Sequence, residues 1–335
     1  MSSSDLLARL ADGDFHSGAE LGQQLGISRT AVWKQVQKLG PMGLTVESVK
    51  GRGYRLLGGL DLLNQAAIVE GLSAEVEACI DHFELLQRVE STNTQVLDAP
   101  EGVSVCLAEQ QTAGRGRRGR TWVSPYGKNI YLSCAWPFEG GAAVLEGLSL
   151  AVGVALVRAL ANCGLSDLQL KWPNDLLWRG RKVAGILLEM SGDAAGRCQV
   201  VVGIGLNVTM AAVDAEEITQ PWVSLHEVAR NDGVASLSRN EIVAAILNQL
   251  LPLLANYEAT GFAAWRDEWL ALDAFRNCEV SVSSGRQQFQ GVARGVDEAG
   301  ALLLEESSLG DGVAGNVRRC SGGEVSLRLL AGLLL

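Results

Sequence analysis

Four apolar runs follow one another between residues 168 and 208: LQLKW, DLLW, KVAGILLEM and CQVVVGIGLNV. The last three are separated only by RGR (179–181) and SGDAAGR (191–197). Connections this short join antiparallel strands, because a parallel pair needs a crossover of about a dozen residues or more. The stretch therefore reads as an antiparallel meander and excludes a parallel, doubly wound sheet here. Upstream, Val103–Leu107 reads as a strand, and Asn129–Trp136 alternates with Ile130, Leu132, Cys134 and Trp136 on one face. VLEGLSLAVGVALVRALANCG reads as a long apolar helix ending at Gly164, and a shorter helix is predicted near Leu62–Val69. After residue 272, CEVSVSSG, QFQGVARGV and ALLLEE alternate as short strands between glycine turns, which suggests a small barrel. No motif stands out between Met210 and Ser238.

Residues 113–120 read AGRGRRGR. Gly114, Gly116 and Gly119 spell the dinucleotide fingerprint G-x-G-x-x-G, and Gly114 with Gly119 spell the spacing of a phosphate-binding P-loop. Both motifs need a helix to begin at the last glycine, so that the phosphate sits on the helix N-terminus. Here TWVSPYGKN follows, then another strand, and no helix is predicted after Gly119. What remains is the chemistry the motifs share. Glycines let a backbone approach an anion, and Arg115, Arg117, Arg118 and Arg120 offer permanent bidentate donors for phosphate or carboxylate.

The first 57 residues have a different organisation. Leu6, Leu7 and Leu10 share a helical spacing, as do Leu21 and Leu25; Gly26 supplies a stop, Ser28 an N-cap, and Val32, Val36 and Leu39 a second apolar face. LTVESV and YRLL flank a KGRG turn, so a helix-turn-helix with a winged hairpin is expected. Between Ser28 and Arg55 six basic residues face one acid, Glu47. The candidates for a nucleic-acid surface are Ser28, Arg29, Thr30, Lys34, Lys38, Lys50 and Arg52. Winged helices also dock proteins, and a basic solvated face is the plain alternative. Trp33 is expected to pack against the hairpin rather than read a base.

At 335 residues the chain is too long for one ordinary core, so two or three domains are expected. A net charge of −10 argues against a nucleic-acid binder as a whole and leaves a local basic patch as the way to be one. Seven scattered cysteines without C-x-x-C, and three distant histidines, give no metal spacing and suit reduced thiols in a cytoplasmic protein. The N-terminus lacks a signal-peptide pattern, and no run of roughly 18–20 apolar residues suggests a membrane span. The apolar tail LLAGLLL is too short for one, and packing on the barrel is its expected fate.

Three short pieces remain: Ser91-Thr92-Asn93 before a helix, KWPND (171–175) between strands, and Lys182 opening an apolar strand. Singly they read as an N-cap, a turn and a snorkelling surface lysine. In order, however, ESTN, AEQQTAGRGRRGRTW, KWPND, GRKVAGILLE and GIGLNV resemble the biotin–protein ligases. With the winged helix in front, the resemblance is to the bifunctional bacterial form, ligase and biotin operon repressor in one chain. It runs from about residue 5 to residue 328.

The resemblance implies an α+β multidomain fold. A winged helix-turn-helix would span residues 1–60, a central mixed-sheet ligase domain residues 61–272, and a small SH3-like β-barrel residues 273–335. It implies ATP-dependent activation of biotin to biotinyl-5′-AMP, with Mg²⁺, and transfer to a lysine of biotin carboxyl carrier protein. It also implies operator DNA as partner, and a homodimer formed when the adenylate is bound. Ser91, Thr92, Asn93, Gln111, Arg115, Gly116, Arg117 and Lys182 are the implied biotin residues. Arg117, Arg118, Arg120, Trp122, Asn174, Asn207 and Arg328 are the implied nucleotide residues. Lys182, Arg117 and Asp175 carry the chemistry, Trp122 stacks on adenine, and no residue is expected to hold a metal by itself. A ligand-sensing transcription factor without ligase activity and a lipoate–protein ligase are the alternatives; an intact arginine loop with Lys182 argues against the first, and the winged helix against the second.

Overall fold

The computed structural model describes residues 3–235, 237–284, 287–306, 316–322 and 325–330. Helices α1 (Ser3–Leu10), α2 (Gly18–Leu25) and α3 (Arg29–Val36) and the antiparallel hairpin β1 (Val46–Val49) and β2 (Gly53–Leu56) build the winged helix. Local chemistry explains the tight turn between α2 and α3. Ser17 Oγ accepts the Glu20 N–H at the start of α2, Gly26 ends it with φ 62°, and Ser28 Oγ accepts the Ala31 N–H at the start of α3. Leu6, Leu7, Leu10, Leu21, Leu25, Val32, Val36, Leu39 and Leu56 bury the expected faces. Two expectations change. Trp33 is 50% exposed instead of packing on the hairpin, and α3 stops at Val36, leaving Lys38 in the turn that follows.

A linker leads into α4 (Gln65–Glu70), α5 (Ala74–Ala78), β3 (His82–Leu86), α6 (Thr92–Leu97), β4 (Ser104–Ala108), β5 (Asn129–Phe138) and α7 (Leu148–Asn162). Then come β6 (Leu168–Lys171), β7 (Asp175–Trp178), β8 (Arg181–Gly192), β9 (Cys198–Asn207), α8 (Leu225–Asp232), α9 (Arg239–Thr260) and α10 (Arg266–Leu272). The sheet has the order β3-β4-β5-β9-β8-β7-β6 and is antiparallel except for the β3–β4 pair. That pair is parallel because α6 lies between its strands in sequence, as a crossover requires. The meander read from 168–208 is present, with the β7–β8 turn made by Arg179 and Gly180 at φ 47° and 73°.

Strand alternation sorts this sheet into two faces. Ile130, Leu132, Cys134, Val202, Ile204 and Ile186 point into the main core, which α7 and α9 cover. α9 is long and apolar enough to cross a membrane by length and composition, but here its Ile242, Val243, Leu247, Leu250 and Leu254 are buried in that core. On the opposite face α6 packs Val96 against Cys106, Ala135 and Val201, leaving the rest of that face uncovered by helix. Tyr126 joins the core of the winged helix, so the two units share a packed contact.

The C-terminal strands are β10 (Glu279–Ser284), β11 (Gln287–Val296), β12 (Leu302–Glu306), β13 (Val317–Cys320) and β14 (Val325–Leu329). They form an antiparallel sheet in the order β13-β12-β11-β10-β14; among the described residues its two edges are not paired to each other. Trp172 of KWPND is buried, and its Nε1–H donates to Gly300 O at 3.1 Å, fastening this unit to the central sheet. The tail beyond Leu330, and with it the expectation that it packs on the barrel, lies outside the described residues.

Candidate active site

The uncovered face of the central sheet is floored by glycine. Gly185 pairs with Gly205, and Gly203 with Leu187, so Gly185, Gly203 and Gly205 share one face. A Cβ on Gly203 would lie 2.2 Å from Asn93 Oδ1, and one on Gly205 would lie 2.4 Å from the Trp122 ring. No side chain fits there, and a cavity of about 1050 Å³ opens above.

At one end stands the ESTN segment. Ser91 sits at the N-cap of α6 without making a side-chain cap. Gln111 Oε1 takes that role instead, accepting the Thr92 N–H at 2.9 Å, while Gln111 Nε2 donates to Ser124 Oγ at 3.2 Å. Ser133 Oγ lies within 2.7 Å of both Thr92 Oγ1 and Asn93 Oδ1, and Asn93 Nδ2 donates to Glu189 Oε2 at 2.6 Å. The result is a fixed row of small donors and acceptors at the edge of an apolar floor.

AGRGRRGR forms a hairpin over this floor. Trp122 N–H donates to Gly114 O at 2.9 Å and Gly116 N–H to Arg120 O at 2.7 Å, with Arg115 bridged to Thr121. Two glycines are required, for different reasons. A Cβ on Gly114 would meet Trp122 O at 2.6 Å, whereas Gly119 lies at φ 67° at the tip. No α-helix follows, so neither nucleotide fingerprint applies. Arg115 Nη2 donates to Glu189 Oε2 at 2.9 Å and Thr94 Oγ1 at 3.2 Å. Arg117 Nη1 donates to Asn174 Oδ1 at 3.1 Å and its Nη2 to Gly322 O of the C-terminal unit. Burial pulls the Arg117 guanidinium below its ordinary pKa, opposed by the charge of Asp175, and a guanidinium stays charged regardless.

Lys182 Nζ meets Asp175 Oδ1 at 2.6 Å, both side chains being about 15% exposed, and sits 5.3 Å from the Trp122 ring centre. A β-bulge brings the pair together. Asp175 pairs with Gly185 and Leu176 with Ala184, but Leu177 pairs with Lys182, skipping Val183. The extra residue turns Lys182 to the face of Asp175; without it Val183 would be there. Lys182 is therefore not the surface lysine that position alone suggested.

Every residue expected to contact biotin or nucleotide lines this one cavity: Ser91, Thr92, Asn93, Gln111, Arg115, Gly116, Arg117, Arg118, Arg120, Trp122, Asn174, Asp175, Lys182, Asn207 and Arg328. Asn207 spends its amide on Lys182 O and Val223 O, at 3.3 and 3.4 Å. Residues missed by the sequence also line the cavity, among them Lys171, Phe275 and residues 217–222 of the stretch without a motif. Lys182 N–H donates to Pro221 O and Val223 N–H to Lys182 O, both at 3.0 Å, which docks that segment. No periodicity announces such a segment; only its backbone pairing places it. Among the described residues seven cations (Arg115, Arg117, Arg118, Arg120, Lys171, Lys182, Arg328) and two carboxylates (Asp175, Glu217) line the cavity of a chain whose net charge is −10. Such a site suits two anionic groups brought together.

The nucleic-acid candidates Ser28, Arg29, Thr30, Lys34, Lys38, Lys50 and Arg52 are all exposed. Ser28 is engaged as the α3 cap, and Arg52 and Arg55 lie over the Phe15 ring, with Arg55 also paired to Glu47 at 2.5 Å. The charge not offset by a carboxylate is thus carried by Arg29, Lys34, Lys38, Lys50 and Arg52.

Residues 85–207 match the Biotin/lipoate A/B protein ligase family, residues 3–55 an HTH domain, and residues 277–328 the Biotin protein ligase C terminal domain. The bifunctional ligase/repressor BirA of Escherichia coli (strain K12) is 40% identical over 326 residues, 96% of each chain. That of Bacillus subtilis (strain 168) is 33% identical over 301 residues, 88% of this chain and 90% of the other. The solved biotin protein ligase from Aquifex aeolicus in complex with biotin and ATP covers 75% of this chain and 100% of its own, at 26% identity and a TM-score of 0.62. The chain belongs to the biotin protein ligase family, in its bifunctional ligase/repressor form.

Proposed function

We propose that the chain activates biotin with ATP, giving biotinyl-5′-AMP and diphosphate, and passes the biotinyl group to a lysine of biotin carboxyl carrier protein. The observation that carries this reading is the excess of cations over a glycine floor. The cis-fused bicyclic ring of biotin would lie along Gly185, Gly203 and Gly205, its ureido group toward Ser91, Thr92, Asn93 and Gln111, with Arg115 and Gly116 closing over it. Lys182 would hold the carboxylate beside the α-phosphate, steered by Asp175, while Arg117 grips the phosphate from Asn174. Arg118, Arg120 and Arg328 add charge around the nucleotide. Trp122 covers Gly185 and Gly205, with its Nε1–H unpartnered among the described residues, so a ligand on that floor displaces the ring, which then stacks on adenine. We assign Asn207 to clamping the 221–223 segment rather than to adenosine.

Mg²⁺ would enter with ATP, since it is usually held by one or two carboxylates plus phosphate oxygens. Among the described residues no cluster of three acidic or metal-binding groups offers a protein cage, and Asp175 is the carboxylate suited to hold such an ion. When bound, it neutralises phosphate charge. The winged helix would read a palindromic operator through α3 and the wing, as a homodimer completed when the adenylate orders the loop, in the cytoplasm.

Full-length protein incubated with biotin, ATP, Mg²⁺ and a carrier domain should release diphosphate only when biotin is present, and should add one biotinyl group to the carrier, read by mass. Release driven by lipoate and not by biotin would overturn the reading. Operator affinity in a gel shift should rise with biotin and ATP together; an unchanged shift would remove the regulatory half.

A further inference from the structure

Lys171 closes β6 and faces Asp175 across the β6–β7 register. Asp175 Oδ1, however, is held by Lys182. Lys171 Nζ lies 5.5 Å from the centre of the Phe275 ring, and among the described residues it makes no hydrogen bond or ion pair. It lines the cavity and is largely out of solvent; burial lowers its pKa, with Lys182, Arg328 and Arg120 lowering it further against the pull of Asp175. A largely desolvated ammonium with one carboxylate and three cations as charged neighbours, and no hydrogen-bond acceptor among the described residues, is unfavourable as it stands. Its burial becomes favourable when a polyanion enters beside it. Lys182 and Arg117 already have partners, Asp175 and Asn174, that aim them at one spot. Lys171 makes neither contact, and among the described residues its ammonium donors have no hydrogen-bond partner.

We propose that Lys171 is a further catalytic residue of the adenylation step, binding the β- and γ-phosphates of ATP and stabilising the diphosphate as it leaves. The inference rests on the ligase reading of the cavity. In that step a carboxylate oxygen of biotin forms a bond to the α-phosphorus. The bond from that phosphorus to the oxygen bridging to the β-phosphate breaks, and its electron pair stays on the diphosphate. No proton is transferred, so Lys171 keeps its own throughout and supplies charge where charge develops. In the second step the acceptor amine attacks the acyl carbon and AMP departs. Diphosphate has gone by then, and Lys171 has nothing to hold. The two half-reactions must therefore respond differently to its loss.

The test uses full-length wild type, Lys171→Gln and Lys171→Arg. Each is assayed for biotin-dependent ATP–[³²P]diphosphate exchange and for transfer from supplied biotinyl-5′-AMP to the carrier. For Lys171→Gln, exchange should fall roughly 100-fold and the KM for diphosphate should rise, while transfer changes less than about threefold. Lys171→Arg, which keeps the charge, should recover exchange to within about tenfold of wild type. Unchanged exchange, or an equal fall in both half-reactions, overturns the proposal. Should Lys171→Gln fail to fold, Lys171→Met, which removes the charge and keeps the length, decides: a raised KM for diphosphate with transfer unmoved supports the proposal, and an unmoved KM overturns it. Absence of exchange in the wild type would instead overturn the ligase reading itself.

Discussion

Arg239 with Glu109, under the linker from the winged helix, and Lys182 with Asp175, in the cavity, are ion pairs of the same domain at almost the same distance, 2.7 and 2.6 Å. Their surroundings differ. Arg239 donates to Asp61 O, Asn129 O and Glu109 Oε2, and Glu109 Oε1 accepts the Leu63 N–H, so every guanidinium nitrogen and carboxylate oxygen of the pair, 1% exposed on each side, has a protein partner. Such a cluster fixes where the linker and α9 meet the sheet, and, buried as it is, it presents no group to a ligand. Lys182 has one carboxylate partner and an aromatic ring, at the edge of open space. Completeness of hydrogen bonding, rather than distance or burial alone, separates the pair that holds the fold from the pair that meets substrate.

The largest expected effect breaks the first pair. Glu109→Ala leaves Arg239 buried without its counter-charge and should cost about 3–5 kcal/mol of stability, read by urea denaturation. A loss under about 1 kcal/mol would erase the contrast. Next comes Lys182→Gln, which should lower biotin-dependent diphosphate exchange by roughly 10²-fold or more, on the order of 3 kcal/mol, and leave the denaturation midpoint near wild type. Stability lost on the scale of Glu109→Ala, with exchange retained, would reverse the two assignments.

A third carboxylate sharpens the comparison with the smallest effect. Asp273, where the central and C-terminal units meet, accepts the Phe275 N–H at 3.0 Å through Oδ1, but its buried Oδ2 has no partner among the described residues. Burial raises its pKa from 3.8 to about 6. An acid whose folded pKa lies above its unfolded value opposes folding once ionised. That cost is absent below about pH 4 and complete above about pH 6. Asp273→Asn should therefore gain on the order of 1 kcal/mol at pH 7, part of the relief being offset by unmet amide donors, and the gain should vanish near pH 4. Denaturation curves at the two pH values that shift equally would show that Oδ2 is satisfied in solution.

Much of the site was legible because it is local. The arginine loop, KWPND, ESTN and the glycine-rich β9 are short stretches whose residue types carry their own chemistry, and all converge on the cavity. The caps of α2 and α3 were equally readable, since a side chain and an N–H three residues on suffice to make them. Trp33 was misread because an aromatic residue carries no sign of which side of its helix will be covered. Residues 217–222 were missed because their place depends on backbone bonds to Lys182, far away in sequence.

By itself the sequence determined the helix-turn-helix, the antiparallel meander, and a guanidinium-rich turn that cannot begin a helix, each set by neighbours a few positions apart. Tertiary structure alone decided that Lys182 faces Asp175, through one unpaired residue in β8 that reverses the alternation of side chains. It alone joined Arg239 to Glu109, 130 residues apart, and carried Arg117 to the carbonyl of Gly322, 205 residues on. The physical reason is that strand register and long-range burial are set by the packing of the whole sheet, and no short window of residues contains that information.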